Sequence, residues 1–531
     1  MKVIKESNGR MDMEKPASRT KNSALNLITS MSSQLLVIIL RFITRTVFIY
    51  TLGKAYLGIN GLFSDILTLL SLTELGIDTA LNFQLYKPLA EGDDHRVRVL
   101  MKFYKQAYRV VGTVILIIGL SLIPLLPFLI KDYDSLDALG INAVLIFILY
   151  LLQSVTSYLF WAYRSAVVKA NQKKYILDVS EFAITILTNI TQILILVYLK
   201  NFVIYTAAVI FFNIFRNFVN AQIAAHFYPQ FFIKETDSLS KEEIINLFKD
   251  CGALFVYKAN TVVLKATDNL VLSKFVGLET VGLYSNYLLF YVTIKNFLLQ
   301  IYNAVQASMG NLFATGDTER KYKFFQIMNY LSIVIYGTAG VGMAVCADEL
   351  ITCWISDAYV IRQPFAILIG IEILFQGLQN NLGQVRNVSG VFRQMWYRPL
   401  IGIVVNLVVS IVLVQICGIY GVILGTIAAY VLTNFAVDPA VLHKYAFNNY
   451  KPVSEYYKKN LLYIAQLAII CALDMWLSKH VFAGHGWISL IIHAVIVVIT
   501  VPVSFIAVYW KSHECRYLVD MGKRIIHKKR H

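Results

Sequence analysis

The sequence predicts an all-α polytopic membrane protein: about fourteen transmembrane helices, in two pseudo-symmetric six-helix lobes plus a C-terminal helix pair. Three observations predict it. Hydrophobic residues make up 57% of the 531 positions and charged residues only 15%, against about a quarter charged in soluble domains; mean hydropathy is +0.60. The apolar residues come in runs of about 20, each long enough to cross a hydrocarbon core of about 30 Å as a helix. The third observation is an internal repeat. Sliding the chain so that Gly53 meets Gly277 also brings Gly58 onto Gly282, Gly92 onto Gly316 and Asp93 onto Asp317. The apolar frame matches as well, with Leu52, Leu57 and Ile59 over Val276, Val281 and Leu283. Coordinated matches over two hairpins mark a duplicated unit, the construction common among transporters.

In chain order the spans are expected near 24–50, 57–84, 109–130, 138–162, 176–199, 202–226, 251–276, 280–309, 325–348, 363–386, 399–416, 419–442, 460–479 and 486–510. The first run begins near Ala24, is long and leads into further spans, which is not the pattern of a cleavable signal. An even number of spans puts both termini on one side. The tails and alternate connections on that side hold 36 of the 48 Lys and Arg residues. The opposite loops hold Lys54, Lys131, Arg362 and Lys479, with Lys200 and Lys274 at span ends, and carry acidic stretches such as KDYDSLD. Both termini are therefore expected in the cytoplasm. The organisation reads as a basic tail (1–22), a first lobe (23–226), an inter-lobe linker (227–250), a second lobe (251–445), a helix pair with its preceding loop (446–510) and a second basic tail (511–531). Within the linker, SLSKEEIINLF has the pattern of a capped amphipathic helix. Six spans separate the copies, so both enter the membrane in the same direction.

The net charge of +16 does not argue for nucleic acid, because the positive-inside pattern accounts for most of it and the tails suit an anionic membrane surface. The six cysteines show no paired spacing, and the nine histidines fall mostly in tails and loops. Neither a disulfide framework nor a metal cluster is expected. No phosphate-binding GxxxxGKS occurs, nor an outer loop large enough for a catalytic domain. Enzyme chemistry is not expected, and any driving energy would come from an ion gradient (Na+ or H+) or from the substrate.

The informative residues are ionisable groups inside spans, each costing about 2.5–3.5 kcal/mol at mid-membrane and so expected to face a cavity or a partner. Ser30, Gln34, Arg41 and Arg45 fall on one face of the first span. Lys258 and Lys265 fall on one face of the seventh, with Asp268 one turn on. The first and seventh spans are repeat-equivalent, so two basic stripes are expected to line a cavity and make an anion site. Arginine suits phosphate because its planar fork binds in bidentate fashion. The blander alternatives are a local Lys265–Asp268 ion pair and an Arg45 that snorkels to the interface. Arg216 and Glu372 are expected to line the same cavity, and Lys295 is a further charge within a span. Glu74 and Asp78, one turn apart near the cytoplasmic side, suit a partner for the arginines, an ion site or a wet vestibule.

At RFITRTVFIYTLGKAYLGINGLFSDILTLLSLTELGIDTALNFQLYKPLAEGD the sequence resembles the polysaccharide-transport branch of the multidrug/oligosaccharidyl-lipid/polysaccharide exporter superfamily, the O-antigen flippases among them. TDNLVLSKFVGLETVGLYSNYLL is its second-lobe counterpart. The resemblance covers roughly 24–510. It implies a flippase in the bacterial cytoplasmic membrane that carries undecaprenyl-diphosphate-linked oligosaccharide repeat units to the outer leaflet, by rocking of the lobes around a central site. It implies no cofactor, and it implies as partners the lipid-linked substrate, membrane lipids and other polysaccharide-assembly proteins. By motif position the diphosphate would fall to Arg41 or Arg45 and to Lys258 or Lys265, the lysines standing in a different register from the family's arginine. Spans thirteen and fourteen would offer a groove for the lipid tail, on which Asp474 is an awkward residue. The alternatives are a cation-coupled multidrug exporter of the same superfamily, or a membrane glycosyltransferase or polysaccharide polymerase.

Overall fold

The computed structural model describes residues 16–71, 77–131, 133–138, 140–171, 173–233, 235–391, 393–481, 484 and 486–528. Its principal helices in chain order are α1 (Pro16–Leu70), α2 (Ile77–Glu91), α3 (Asp94–Leu122), α4 (Ala143–Leu159), α5 (Lys174–Leu194), α6 (Phe202–Phe227), α7 (Lys241–Phe275) and α8 (Leu278–Thr315). They continue as α9 (Thr318–Trp354), α10 (Phe365–Ser389), α11 (Arg398–Cys417), α12 (Ile419–Ala429), α13 (Val453–His480), α14 (Trp487–Tyr509) and α15 (His513–Lys528). The architecture is all-α, with no strand among the described residues. Helix is what the bilayer demands, since every backbone polar group must be satisfied within its own segment. Hydroxyls follow the same rule: Thr46, Thr51, Thr185, Thr206 and Thr338 each donate to the carbonyl four residues back, at 2.7–2.9 Å.

Among the described residues, ten helices are long and apolar enough to cross a membrane, and the bent pair Ala143–Leu159 with Ala162–Ala170 makes an eleventh. That is fewer than the fourteen spans expected. One reason is that helices continue through expected boundaries: α1 carries the first two spans across a break at Gly53 (φ 82°) and counts once. The linker helix and the seventh span are also one helix, α7, with no span lost. Its start is a reciprocal capping box, with Ser240 Oγ accepting from Glu243 N and Glu243 Oε2 accepting from Ser240 N, at 3.2 and 2.8 Å.

The chain forms two compact units. The first comprises 1–53, 70–124 and 142–252, and the second 54–69, 125–141 and 253–531. In the first unit α3 packs on α4, α4 on α6 and α6 on α5, and Phe48 of α1 meets Phe202 and Tyr205 edge-on at 5.7 and 5.4 Å. In the second, the segment 54–69 of α1 packs on the α7–α8 hairpin. There the repeated glycines have their use. A Cβ on Gly58 would lie 2.0 Å from the Leu278 carbonyl oxygen, and one on Gly282 would lie 2.6 Å from that of Lys54. The two equivalent turns thus meet backbone to backbone, which only small residues allow. Gly277, like Gly53, sits at positive φ (128°), and Asp93 and Asp317 are equivalent N-caps, accepting from Arg96 N and Arg320 N at 2.8 and 2.7 Å.

The second unit is also pinned by an ion pair that hydropathy does not reveal. Arg398 at the start of α11 donates through Nε and Nη2 to both carboxylate oxygens of Asp438, at 2.8 and 2.6 Å, with both side chains at most 2% exposed.

Candidate functional site

In the first unit, Arg41 is exposed on α1 and Arg45, one turn on, is half-buried. The Arg45 guanidinium lies near the phenols of Tyr150 on α4 and Tyr205 on α6. Beside it the Thr44 hydroxyl donates to Asn189 Oδ1 of α5 at 2.8 Å, and both residues are buried. Arg216 is half-buried on α6, next to a polar seam: Ser180 donates to Asn220 Oδ1 at 2.7 Å, Asn220 Nδ2 to Glu181 at 3.2 Å, and Asn217 Nδ2 to the Thr156 carbonyl at 3.4 Å.

The second unit holds the acidic counterpart. Asp268 of α7 is 1% exposed. It accepts from Tyr284 of α8 at 3.3 Å and from Thr426 of α12 at 3.4 and 3.5 Å. Asn406 of α11 donates to the same Thr426 hydroxyl at 2.9 Å and accepts from Thr267 at 3.3 Å. Helices α8 and α12 therefore aim a phenol and a hydroxyl at one buried carboxylate, and the Asn406 amide of α11 holds that hydroxyl. Glu372 of α10 is fully buried beside the same tyrosine ladder and bonds to Tyr291. Gln376, one turn on, accepts from Tyr291 and Tyr430 at 3.3 and 3.1 Å. The neighbouring Asn269 donates to Asp65 at 2.6 Å.

Of the remaining candidates, Lys258 and Lys265 lie on α7 and Asp78 on α2, with side chains outside the described residues, and Glu74 lies outside them altogether. Lys295 is half-buried on α8. The structure thus groups Asp268 and Glu372 around one set of tyrosines, and places Arg41, Arg45 and Arg216 in the other unit. Sequence reading missed the partners Tyr284, Tyr291, Asn406 and Thr426. One signal was there: Tyr284, Tyr287 and Tyr291 recur at three and four residues, one face of an apolar helix.

A second charged cluster lies in the first unit, where the linker straps the start of α3. Glu235 takes Arg98 at 3.0 Å, Glu243 takes Arg96 at 2.6 Å, Asp237 meets His95 at 3.1 Å, and Lys102 donates to Thr236 O and Ser238 Oγ at 2.6 and 3.0 Å. The Arg98 bond holds the Glu235 carboxyl below its usual range. For Glu243 the Ser240 backbone amide does so first and Arg96 second. His95, Glu235 and Asp237 stand close enough to share an ion, but they are already engaged with one another and with Arg98.

No protein-family model and no curated protein matches the chain. Solved structures do. The chain is similar to the lipid II flippase MurJ in an inward closed conformation, at 14% identity and a TM-score of 0.60, over 91% of this chain and 99% of that one. It is similar to an inward-facing multidrug resistance MATE family transporter of the MOP superfamily, at 12% identity and a TM-score of 0.55, over 78% and 96%. An outward-facing transporter of that description matches at 13% and 0.51, over 81% and 95%. The fold is that of the MOP superfamily's exporters and flippases.

Proposed function

We propose that the chain is a flippase for undecaprenyl-diphosphate-linked oligosaccharide repeat units, moving the headgroup from the cytoplasmic to the outer leaflet of a bacterial cytoplasmic membrane for surface polysaccharide assembly. The observation that carries this reading is the pair Arg41 and Arg45 on a membrane-spanning helix, Arg45 set among tyrosine hydroxyls. Cations with phenol neighbours suit a diphosphate and its sugars: charge for the phosphates, stacking faces and donors for the glycan. Lys258, Lys265 and Arg216 add to the cationic cavity, and both termini are cytoplasmic. Around that cavity access alternates from one leaflet to the other.

Asp268 serves as the coupling group. The oxygens of Asp268, Thr426 and Tyr284 converge within hydrogen-bond distances, a hard-oxygen set suited to a proton or Na+; binding there would change the packing of α7 against α8 and α12. The same carboxylate favours the second reading, a cation-coupled multidrug exporter, since the fold is shared with such transporters.

The test is translocation of a fluorescent polyprenyl-diphosphate oligosaccharide in proteoliposomes, with wild type against Arg41→Ala, Arg45→Ala and Lys258→Ala. Protein-dependent movement that the substitutions abolish is the expected result. No movement of any such lipid, beside ion-driven uptake of a small cationic drug, would transfer the case to the second reading.

A further inference from the structure

A third polar cluster belongs to neither set. Asp474 of α13 has no exposed surface. Thr500 of α14 donates to its Oδ2 at 2.7 Å, while its Oδ1 is buried with no hydrogen-bond partner among the described residues. A carboxylate so placed in an apolar span is costly as an anion, and its unused oxygen is an acceptor aimed into the protein.

The cluster extends toward the end at which α13 and α14 are joined. On α14, Ser489, His493 and Thr500 are spaced four and seven apart, one face of the helix. On α13, Asp474 and Ser478 are one turn apart. Helix α9 supplies Cys346 and Glu349. Asn329 bonds Asn460, and a Cβ on Gly337 would meet Leu467, so α9 and α13 run side by side in the same direction and Asp474 lies level with about Cys346. His493 Nδ1 and Glu349 Oε2 are 2.7 Å apart at the mouth of the file, and Glu349 Oε1, Ser478 Oγ and Ser489 Oγ are buried with no bonding partner among the described residues. The other charged groups on these helices point elsewhere. Asp348 takes Tyr287 at 2.6 Å, and Lys459 pairs with Glu455 and Glu514 at the opposite end of α13; Lys479 and His480 are exposed at the mouth, and Cys471 meets Met475.

We infer that Asp474 is a proton-binding site, loaded along the file Ser489, His493–Glu349, Ser478 from the face at which α13 and α14 are joined. A proton fits better than a metal cation, because among the described residues a single hydroxyl bonds Asp474, whereas a bare ion demands several oxygens. The His493–Glu349 pair offers an imidazole and a carboxylate between which a proton can pass, and the buried hydroxyls complete a path to the orphaned oxygen. That face is the outer one in the orientation proposed above, but the site itself does not depend on which substrate is carried.

Hydrophobic carbodiimide reacts with protonated carboxyls in apolar surroundings, so its labelling of the full-length protein in liposomes, read by peptide mass spectrometry, tests the inference without any transport assay. The expected result is an adduct on Asp474 that forms about tenfold more slowly for each pH unit above its midpoint, and none at that position in Asp474→Asn. Thr500→Val keeps the carboxyl but removes the bond that favours its charged form, so the midpoint rises by about one unit. In Glu349→Gln/His493→Gln the adduct still forms, but its rate no longer follows the pH on the side where α13 and α14 are joined. No adduct on Asp474 at any pH, or a rate indifferent to pH in the wild type, would overturn the proton site. A rate in the double variant that still follows that pH would overturn the path.

Discussion

The two repeats place different chemistry at equivalent positions. In the register that sets Gly53 on Gly277, Thr44 falls on Asp268 and Arg45 on Asn269. Thr44 is buried and donates to an amide on α5; Asp268 is buried and accepts from a phenol and a hydroxyl on α8 and α12. Next to the neutral pair stands an arginine, and next to the acid an asparagine that reaches Asp65. Helix geometry was kept in the duplication, together with its glycines and caps, while the charge at this position was divided: an arginine in the first copy, an acid in the second. A symmetric pair of sites would bind the same ion twice. Under the function proposed above, the divided pair assigns the anionic headgroup to one copy and the coupling cation to the other.

The sharpest way to break this comparison is to neutralise the acid. Asp268→Asn preserves shape and removes the charge. Losing a charged partner costs about 1.5–3 kcal/mol, so the cation concentration giving half-maximal transport rises about ten- to a hundredfold. Transport titrated with Na+ and with pH in proteoliposomes reads this directly, and an unchanged titration would place coupling elsewhere. The first copy is tested by Arg45. Arg45→Ala weakens binding of a polyprenyl diphosphate about tenfold, and Arg45→Lys by less, because a point charge replaces a planar fork without loss of sign. Isothermal titration with the soluble diphosphate headgroup measures both. Equal losses in the two variants would argue for geometry rather than charge.

The shared scaffold was legible in the sequence because it is local. Apolar runs fix where a helix can cross, and Gly53, Gly58, Gly277 and Gly282 stood out as matched turns before any contact was known. The reason for Gly58 and Gly282 was not legible, since each needs its room against a backbone in the other hairpin. Asp268 was visible as a charge in a span, but Thr426 lies 158 positions away and is an ordinary threonine by hydropathy. The same holds for Arg398 and Asp438, which read as an inner-loop charge and a span-end acid until they are brought to 2.6 Å. The boundary between linker and span near 250 was not legible, since α7 runs on through it from Lys241 and a capping box marks a start and says nothing of where the helix ends.

If the glycine contact is what holds the second unit to the segment 54–69, then Gly58→Val and Gly282→Val should act alike. Each forces backbone apart, at about 1–3 kcal/mol for overpacking, and lowers the thermal unfolding midpoint of the purified protein. An effect from one and not the other would show that the turns are not equivalent.

The linker strap adds a pH dependence confined to the first unit. Glu235 and Glu243 have folded-state pKa values below the ordinary 4.5, so the stability they contribute is fully present above that value. It is lost as pH falls through the depressed pKa values. Protection of the 235–243 amides, taken relative to their intrinsic exchange rate at each pH, should therefore be high at neutral pH and fall as the two carboxyls protonate below 4.5, and high salt at neutral pH should mimic the change, since these pairs are exposed to screening.

The smallest effect is expected at the position where the repeats differ most. Thr44→Ala removes one neutral hydrogen bond inside the membrane, a class of contact worth about 0.6 kcal/mol on average. Asn189 keeps its own bond to the Thr185 carbonyl at 2.8 Å, so its amide stays anchored and only its oxygen loses a donor. A shift in unfolding midpoint of a degree or two at most, with cation dependence of transport unchanged, is the expected result. If Thr44→Ala instead altered cation dependence as Asp268→Asn does, the first copy would be taking part in coupling, and the division of charge between the repeats would not be a division of labour.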